Sequence, residues 1–176
     1  MSFINPKQVI DNLNLKPGMR VADFGCGSGD ITILMAKTVG DSGEVFAIDV
    51  LISALESVQG KASLENIRNI KTIRSNLEIL KNSGLDNNSM DLVLLANILF
   101  QSKLKKNIIE EAKRVLKSGA RVVIIDWKSF AEKLGPPKNL RVNKEKIKKT
   151  AKQLGFKISR EFDLGEYHFG MELVKP

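Results

Sequence analysis

The chain is short of the residue types on which several kinds of site depend, because it has one cysteine, one histidine, one tryptophan and one tyrosine. A single cysteine excludes an internal disulfide and fits a reducing compartment, so we expect a cytoplasmic location. One histidine and one cysteine cannot supply the usual ligands of zinc, so we expect no metal centre. No apolar run is long enough for a membrane span, and we expect neither a span nor a signal peptide.

Positive charge is what the chain has in excess. Its 28 Lys and Arg against 20 Asp and Glu give a formal net charge of +8 and a pI near 9.6. This balance permits an acidic partner such as RNA or an anionic membrane, and it equally fits a lysine-rich surface without a special partner. The length of 176 residues and the 43% of hydrophobic residues indicate a single domain over residues 1–176, large enough for a proper core.

The segment from Val21 to Asp30 reads VADFGCGSGD and combines a short apolar run, an acid and three alternate glycines. An amphipathic run from Ile31 to Val39 follows, so the predicted order is strand, tight turn and helix. Glycines let a backbone pass close to a ligand, and a helix start offers unpaired N–H groups and the positive end of its dipole. The segment therefore predicts a seat for a nucleotide-like or carboxylate-bearing cofactor.

The glycine spacing differs from that of a dinucleotide-binding turn, which has glycines at its first, third and sixth positions. Counting from Gly25, the sixth position is Asp30, and a carboxylate at the helix mouth repels a pyrophosphate. A second acid, Asp49, ends the next predicted strand about 20 residues after the turn, where a carboxylate accepts from ribose hydroxyls. Asp49 is thus expected to bind a ribose, the alternative being that it only caps the segment that follows.

Strand patterns at residues 20–24, 43–49, 70–74, 90–96 and 121–126 alternate with helix patterns, of which the first covers residues 5–15 and the last covers residues 143–154. This alternation predicts a parallel sheet with helices on both faces. The residues Ser53 to Glu56 form a capping-box pattern that predicts the start of the third helix, and Gly119 is predicted to end the fourth. The alternation stops near the carboxyl end. Two strand-like runs are joined there by a short turn at Gly165, so they must be antiparallel.

These features together resemble the class I S-adenosylmethionine-dependent methyltransferases. The Asp-Phe-Gly-x-Gly-x-Gly pattern that begins at Asp23 is similar to the family's first motif, and a parallel sheet ending in a reversed hairpin strand is a family trait. The subgroup it resembles is that of the small methyltransferases of menaquinone and ubiquinone biosynthesis, the type 11 kind. The resemblance implies an α/β fold, a Rossmann-like three-layer sandwich with a mostly parallel seven-stranded sheet and an antiparallel C-terminal hairpin strand.

The resemblance also implies S-adenosylmethionine as the cofactor and S-adenosylhomocysteine as the product. It assigns to Asn76 the acceptor of the adenine amine, to Leu77 a backbone N–H for the adenine ring, and to Asn97 a position near the sulfonium. An amide oxygen can accept the bond that an aspartate accepts more commonly at this position. The cofactor-binding residues expected are Asp23, Gly25, Cys26, Gly27, Gly29, Asp49, Val50, Asn76, Leu77 and Asn97.

Four polar residues are expected on the acceptor side. Asp126 and Lys128 end the fifth strand, and Tyr167 and His168 begin the final reversed strand, so topology brings all four to the edge where ligands bind. We predict that they face one cavity and form the catalytic group, since methyl transfer needs in-line positioning and at most one base. Each has a structural alternative: Asp126 can hold a backbone N–H, and a lone histidine is more often packed or solvated.

The function expected is methyl transfer to an unidentified acceptor, most simply a small molecule. A protein or RNA methyltransferase with an open site and a basic surface is the first alternative, and a non-catalytic cofactor-binding protein is the second. The Asn-Pro-Pro-aromatic tetrad of enzymes that methylate exocyclic base amines is absent after the fourth strand, where Ala96-Asn97-Ile98-Leu99 stands. The acceptor, the atom methylated and the oligomeric state stay open at this point.

Overall fold

A mixed sheet of seven strands runs through the centre of the protein. The structure is a computed structural model that describes residues 4–129 and 134–176. Its strands are β1 Arg20–Phe24, β2 Glu44–Asp49, β3 Ile70–Arg74, β4 Met90–Ala96, β5 Leu116–Trp127, β6 Lys157–Leu164 and β7 His168–Val174. The strand order is β3-β2-β1-β4-β5-β7-β6, and β1 to β5 are parallel to one another. Because β7 is antiparallel to both of its neighbours, the predicted fold class is confirmed.

Helices cover the sheet on both faces. They are α1 Pro6–Leu13, α2 Asp30–Val39, α3 Ile52–Leu64, α4 Lys105–Val115 and α5 Lys144–Gln153, with two short 3-10 turns at Leu99–Gln101 and Lys138–Leu140. Two large clusters of buried side chains form the core. One joins the sheet to α4 and α5, and the other joins it to α1 and α2, which gives the three layers.

Side chains cap two of the helices where the sequence predicts a start. The Asn5 side chain accepts from Lys7 N at 3.0 Å, with Pro6 in the first turn of α1. The Asn143 side chain accepts from Lys146 N at 3.0 Å and begins α5. Such caps satisfy backbone donors that have no partner within the helix.

Two predicted helix boundaries are wrong. The third helix begins at Ile52, so Ser53 lies inside its first turn, and no side chain caps it. The fourth helix ends at Val115 rather than at Gly119, because Leu116 is extended, buried and paired with Met90 of β4. Gly119 therefore lies within β5, where its N–H donates to Lys175 O at 2.8 Å.

The topology delivers five strand ends to one edge of the sheet. The strands β1 to β5 all point the same way, and the beginning of β7 meets the end of β5, where Trp127 pairs with His168. This carboxyl edge is where open α/β sheets bind their ligands. No helix in the described part of the chain is both long enough and apolar enough to cross a bilayer.

Candidate active site

The glycine turn after β1 folds against the end of β2. The N–H groups of Gly25 and Cys26 donate to Ile48 O at 2.7 and 3.1 Å, and Gly27 N donates to Asp49 Oδ2 at 3.0 Å. The other carboxylate oxygen, Oδ1, accepts from Leu51 N at 3.0 Å. Two backbone donors thus fix the Asp49 carboxylate, and each oxygen keeps acceptor capacity for a ligand hydroxyl.

Two glycines of this turn have no room for a side chain. Gly25 has a φ of +79°, and a Cβ there would lie 2.7 Å from Ile98 Cδ1. Gly29 has a φ of +82°, and a Cβ there would lie 2.6 Å from Val58 Cγ2. Their positive φ values and close neighbours explain why the motif needs glycine at both positions.

A cavity of about 510 Å³ opens beside the turn at the carboxyl edge. This volume lies within the usual range for sites that bind small ligands. Six of the ten predicted cofactor residues line the cavity, namely Gly25, Gly27, Asp49, Val50, Asn76 and Leu77. Further lining residues, which the sequence analysis did not assign, include Leu51, Ser75, Glu78, Ile98, Gln101, Ser102 and Ile108.

The wall formed by the connection after β3 is fixed by polar contacts. Asn76 Oδ1 accepts from Glu78 N at 2.9 Å, which turns the chain directly after the strand. Ser102 Oγ donates to Glu78 Oε1 at 2.5 Å, and Asn107 Nδ2 donates to Glu78 O at 2.9 Å. Glu78 thereby joins the connections after β3 and β4. The only signal for it in the sequence is its place two residues after Asn76.

Two of the predicted cofactor residues lie behind the turn. Asp23 is buried and accepts from Thr32 Oγ1 at 2.6 Å, so it ties β1 to α2, and burial raises its pKa to about 6. Cys26 is buried too, and burial raises the pKa of its thiol well above the usual range. A thiol held protonated is a poor nucleophile, and Cys26 packs in a buried cluster with Ala47, Leu55 and Val58.

Two more of the predicted residues bound the site without lining the cavity. Gly29 is the residue before α2 and accepts from Ile33 N at 2.9 Å. Asn97 has a φ of +55°, and its backbone N donates to Ile125 O at 2.8 Å. Among the residues that the structure describes, its buried Oδ1 has no hydrogen-bond partner. A buried polar atom without a partner is rare and calls for one, such as a ligand group.

Asp126 is fully buried at the end of β5. Its Oδ1 accepts from Trp127 N at 2.8 Å, and its Oδ2 accepts from Phe100 N at 3.2 Å. Burial raises its pKa to about 6, and these backbone donors oppose the rise. Through Phe100 the carboxylate holds the 3-10 turn whose residue Gln101 lines the cavity.

The three other acceptor-side residues gather at the start of β7. The His168 ring is fully buried, with its centroid 4.2 Å from that of Trp127, and burial together with the Lys128 charge lowers its pKa to about 4. Within the described part of the chain, neither of its ring nitrogens has a hydrogen-bond partner. Lys128 Nζ pairs with Asp163 at 3.0 Å, and Tyr167 O accepts from Lys128 N at 2.8 Å.

The topology thus brings Asp126, Lys128, Tyr167 and His168 to the carboxyl edge, but none of them lines the cavity described above. The structure departs from the expectation that His168 faces a cavity, because β5 and β7 pair at this position and the Trp127 ring covers it. The catalytic roles of the four residues stay predictions.

The site fits a nucleoside cofactor without phosphate groups. A carboxylate is fixed beside the cavity for hydroxyl groups, Leu77 gives an apolar wall, and the glycine turn leaves its backbone open to close approach. At the mouth of α2, Asp30 accepts from Ser28 Oγ at 2.8 Å and pairs with Lys61 at 2.5 Å. In the described residues no group of three or more His, Cys, Asp or Glu side chains could hold a metal ion.

Comparison with known proteins agrees with this geometry. The family model of the methyltransferase domain matches residues 15–168 of the chain. The chain therefore belongs to the methyltransferase domain family. Within that family it is a class I S-adenosylmethionine-dependent methyltransferase, and it is similar to proteins of the menaquinone and type 11 kind.

One curated relative is the demethylmenaquinone methyltransferase of Staphylococcus aureus strain MRSA252, which is 32% identical over 120 residues. That match covers 68% of this chain and 48% of the relative, so the chain spans about half the length of the curated relatives it matches. A solved S-adenosylmethionine-dependent methyltransferase from Aquifex aeolicus has a TM-score of 0.86 and 28% identity, with 97% of this chain and 89% of that chain covered. A putative type 11 methyltransferase from Sulfolobus solfataricus has a TM-score of 0.79 and 27% identity, with 99% and 94% covered.

Proposed function

We propose that this methyltransferase acts on a small, apolar aromatic acceptor of the hydroxylated quinol kind. The observation that carries the proposal is the apolar part of the cavity wall to which Ile98 and Ile108 contribute. Apolar walls with a few placed polar groups are typical of sites for small molecules. The name of the Staphylococcus aureus relative, demethylmenaquinone methyltransferase, supports a quinol as the first acceptor to test.

The residues at the end of β2 and after β3 would hold the cofactor. The Asp49 carboxylate would accept from the ribose hydroxyls, and the cavity wall at Asn76 and Leu77 would receive the adenine. When bound, S-adenosylmethionine supplies a methyl group on a positively charged sulfur. The turn from Gly25 to Gly29 would lie along the amino-acid end, where its backbone can approach closely.

The acceptor's ring carbon would provide the electron pair of the new C–C bond, the pair of the broken C–S bond would leave with S-adenosylhomocysteine, and the ring proton would pass to solvent water. An electron-rich reduced quinol is therefore the reactive form. The protein's contribution is placement of the ring carbon in line with the methyl group. Asp126 would act as a positioning residue, because it holds the turn that carries part of the wall. Lys128, Tyr167 and His168 stay predicted members of the acceptor side.

The positive surface charge that favours an RNA substrate is partly offset by neighbouring carboxylates. On the lysine-rich helix α5, Lys144 pairs with Glu161 at 2.5 Å, and Lys148 pairs with Glu145 and Glu161 at 3.0 and 2.5 Å. These carboxylates offset the positive face that a phosphate backbone would need. We therefore give the small-molecule acceptor first place.

A direct assay tests the proposal. The purified chain is incubated with S-adenosylmethionine and a short-chain demethylated naphthoquinol, its oxidised quinone, or RNA, and the products are identified by mass spectrometry. We expect one added methyl group on the quinol, little on the quinone, and S-adenosylhomocysteine in equal amount. Methylated RNA with unchanged quinol would refute the proposal. Asp49→Ala serves as the control that must reduce turnover.

A further inference from the structure

Exposed aliphatic side chains are concentrated at the carboxyl edge of the sheet. Among the described residues, nine large hydrophobic side chains are exposed. Eight of them lie in or beside the connections that leave the ends of β2, β3, β4 and β5; we call these eight the apolar rim, and they are Val50, Leu51, Ile52, Ile79, Leu80, Leu104, Leu134 and Leu140. The ninth, Leu64, is 86% exposed at the far end of α3. Such clustering of exposed apolar side chains marks an interaction surface.

Much of the apolar rim surrounds the mouth of the cavity. Val50 and Leu51 line the cavity themselves, and Ile79 follows the lining residue Glu78. Leu104 N donates to the Oγ of Ser102 at 2.9 Å, and Ser102 also lines the cavity. The contact between Ser102 and Glu78 holds the two connections together. A partner that covers the apolar rim would therefore also cover the entrance to the site.

Basic side chains accompany the apolar rim. Within the described connections and at their flanks, the basic residues are Arg74, Lys81, Lys103, Lys105, Lys128, Lys138 and Arg141. The acids counted by the same rule are fewer, namely Asp49, Glu78, Asp86 and Glu166, and Asp163 of β6 pairs with Lys128. Aliphatic side chains set among lysines and arginines match an anionic lipid surface, where the apolar groups enter the headgroup boundary and the basic groups meet phosphates.

We propose that the apolar rim docks on an anionic bilayer, with the mouth of the cavity facing the lipid. The side chains come from four separate connections and lie among basic residues, which suits a fluid surface better than a fixed complementary protein. The inference rests on the proposed function, because an apolar quinol dissolved in the bilayer could then reach the cavity without crossing water.

Vesicle sedimentation of the full chain, without acceptor, tests the docking. The vesicles are phosphatidylcholine alone or phosphatidylcholine mixed with phosphatidylglycerol. We expect binding to the mixed vesicles, much weaker binding to phosphatidylcholine, and a partial loss as salt is raised, because salt screens the charges but not the apolar contacts. Equal binding to both vesicles, or none to either, would overturn the proposal.

Two matched pairs of variants locate the surface. Ile52→Ser with Ile79→Ser removes two apolar side chains, and Leu64→Ser, at a more exposed position, is its control. Lys81→Glu with Lys103→Glu reverses two charges, and Lys149→Glu with Lys152→Glu on α5 is the control of equal charge. We expect at least a tenfold loss of vesicle binding in each rim variant and little loss in Leu64→Ser. For the charge variant this size follows because one lysine near a membrane contributes about fivefold to binding. Thermal unfolding with S-adenosylhomocysteine shows that each variant is folded.

Three outcomes separate the possible failures. If the two charge variants lose binding equally and Ile52→Ser with Ile79→Ser loses none, the surface is a general polyanion site, and competition by polyuridylate would identify it as one for RNA. Methylation of a water-soluble quinol without vesicle binding would overturn the docking and leave the proposed function standing. Vesicle binding that depends on the apolar rim, without methylation of any quinol, would overturn the proposed acceptor and leave the docking standing.

Discussion

At the scale of the residue, Asp49 has two tasks in one carboxylate. It fixes the glycine turn through Gly27 N and the start of α3 through Leu51 N, and it lines the cavity. The alternative hypothesis, that Asp49 caps the segment that follows β2, therefore describes part of its role, because the carboxylate accepts a hydrogen bond from Leu51 N. The two tasks are compatible because each carboxylate oxygen has more than one acceptor position.

We expect Asp49→Ala to weaken the binding of S-adenosylhomocysteine by about tenfold or more, because a charged acceptor of hydrogen bonds contributes about 1.5–3 kcal/mol. Titration calorimetry measures the affinity. The control is Asp30→Asn, at a carboxylate of the same turn that pairs with Lys61 and does not line the cavity. Unchanged affinity in Asp49→Ala would remove the ribose assignment.

Gly25→Ala tests the close contact across the glycine turn. The new Cβ would meet Ile98 Cδ1 at 2.7 Å at a positive φ, so we expect both stability and cofactor affinity to fall. The φ strain alone costs about 1–2 kcal/mol. Gly27→Ala is the matched control, because its φ is also positive but no atom lies within 4 Å of the added Cβ.

Adding Ile98→Ala to Gly25→Ala separates the clash from the strain. We expect part of the lost affinity to return in the double variant, as measured by calorimetry in a double-mutant cycle. Strict additivity of the two substitutions would mean that the contact with Ile98 does not limit this position.

His168 should make the stability of the protein depend on pH. Its pKa is about 4 in the folded state against 6.5 ordinarily, so the folded state resists protonation. The stability that the neutral His168 ring contributes is fully present above pH 6.5, and it is lost as the pH falls towards 4. We therefore compare the free energy of unfolding of His168→Phe with that of the unsubstituted protein at two pH values. We expect the substitution to be more favourable at pH 5 than at pH 8, by about 1–2 kcal/mol.

Urea unfolding at the two pH values measures this difference. The buried carboxyls Asp23 and Asp126 have raised pKa values and change the stability in the opposite direction, but they are present in both proteins and cancel in the comparison. A difference that is the same at pH 5 and pH 8 would show that His168 is not held neutral by burial. Turnover of His168→Ala, in which we predict a loss larger than the loss of cofactor affinity, tests its catalytic role separately.

At the scale of the element, α4 holds the connection between β3 and β4 through one buried acid. Glu111 is fully buried, and its carboxylate accepts from Lys81 N at 2.8 Å, from Ser83 N at 3.3 Å and from Arg114. Burial by itself would raise the pKa of Glu111, but the hydrogen bonds from Arg114, Ser83 and Lys81 lower this pKa to about 2. The beginning of the same connection forms one wall of the cavity, so α4 supports the site from behind.

We expect Glu111→Ala to lower the free energy of unfolding by about 3–5 kcal/mol, because it leaves a half-buried guanidinium and two backbone donors without their acceptor. Urea unfolding measures the loss. Glu145→Ala breaks an exposed pair of the same spacing with Lys148 on α5, and such pairs contribute about 0–1 kcal/mol. Similar small losses in both variants would mean that the buried carboxylate does not support the fold.

At the scale of the whole molecule, the family and the geometry of the site both favour one cofactor class. We expect S-adenosylhomocysteine to raise the melting temperature far more than NAD or ATP at equal concentration, because Asp30 at the mouth of α2 opposes a phosphate group. Ligand at a hundredfold of its dissociation constant adds about 2.7 kcal/mol of stability. A thermal-shift comparison measures this, and equal stabilisation by NAD would contradict the assignment.

The sequence by itself determined the features that depend on local chemistry. The glycine turn, the acid at the end of β2, the side-chain caps of α1 and α5 and the reversed hairpin all follow from residues close together in the chain, because turn and cap geometry depends on near neighbours. The carboxyl edge as the ligand edge follows as well, since parallel strands leave no other arrangement. Six of the ten predicted cofactor residues line the cavity for this reason.

Only the tertiary structure decided which polar side chains are buried and what they contact. Pairing with Met90 extended Leu116 and moved the end of α4 away from Gly119. The Trp127 ring covers His168, and Phe100 N donates a hydrogen bond to the Asp126 carboxylate. Nothing in the sequence next to His168 or Asp126 distinguishes these two residues from exposed polar residues. Glu111 is buried because its carboxylate oxygens accept hydrogen bonds from the backbone N–H groups of residues about 30 positions earlier in the chain. Contacts between segments far apart in the chain set burial, and burial sets the protonation state of these groups.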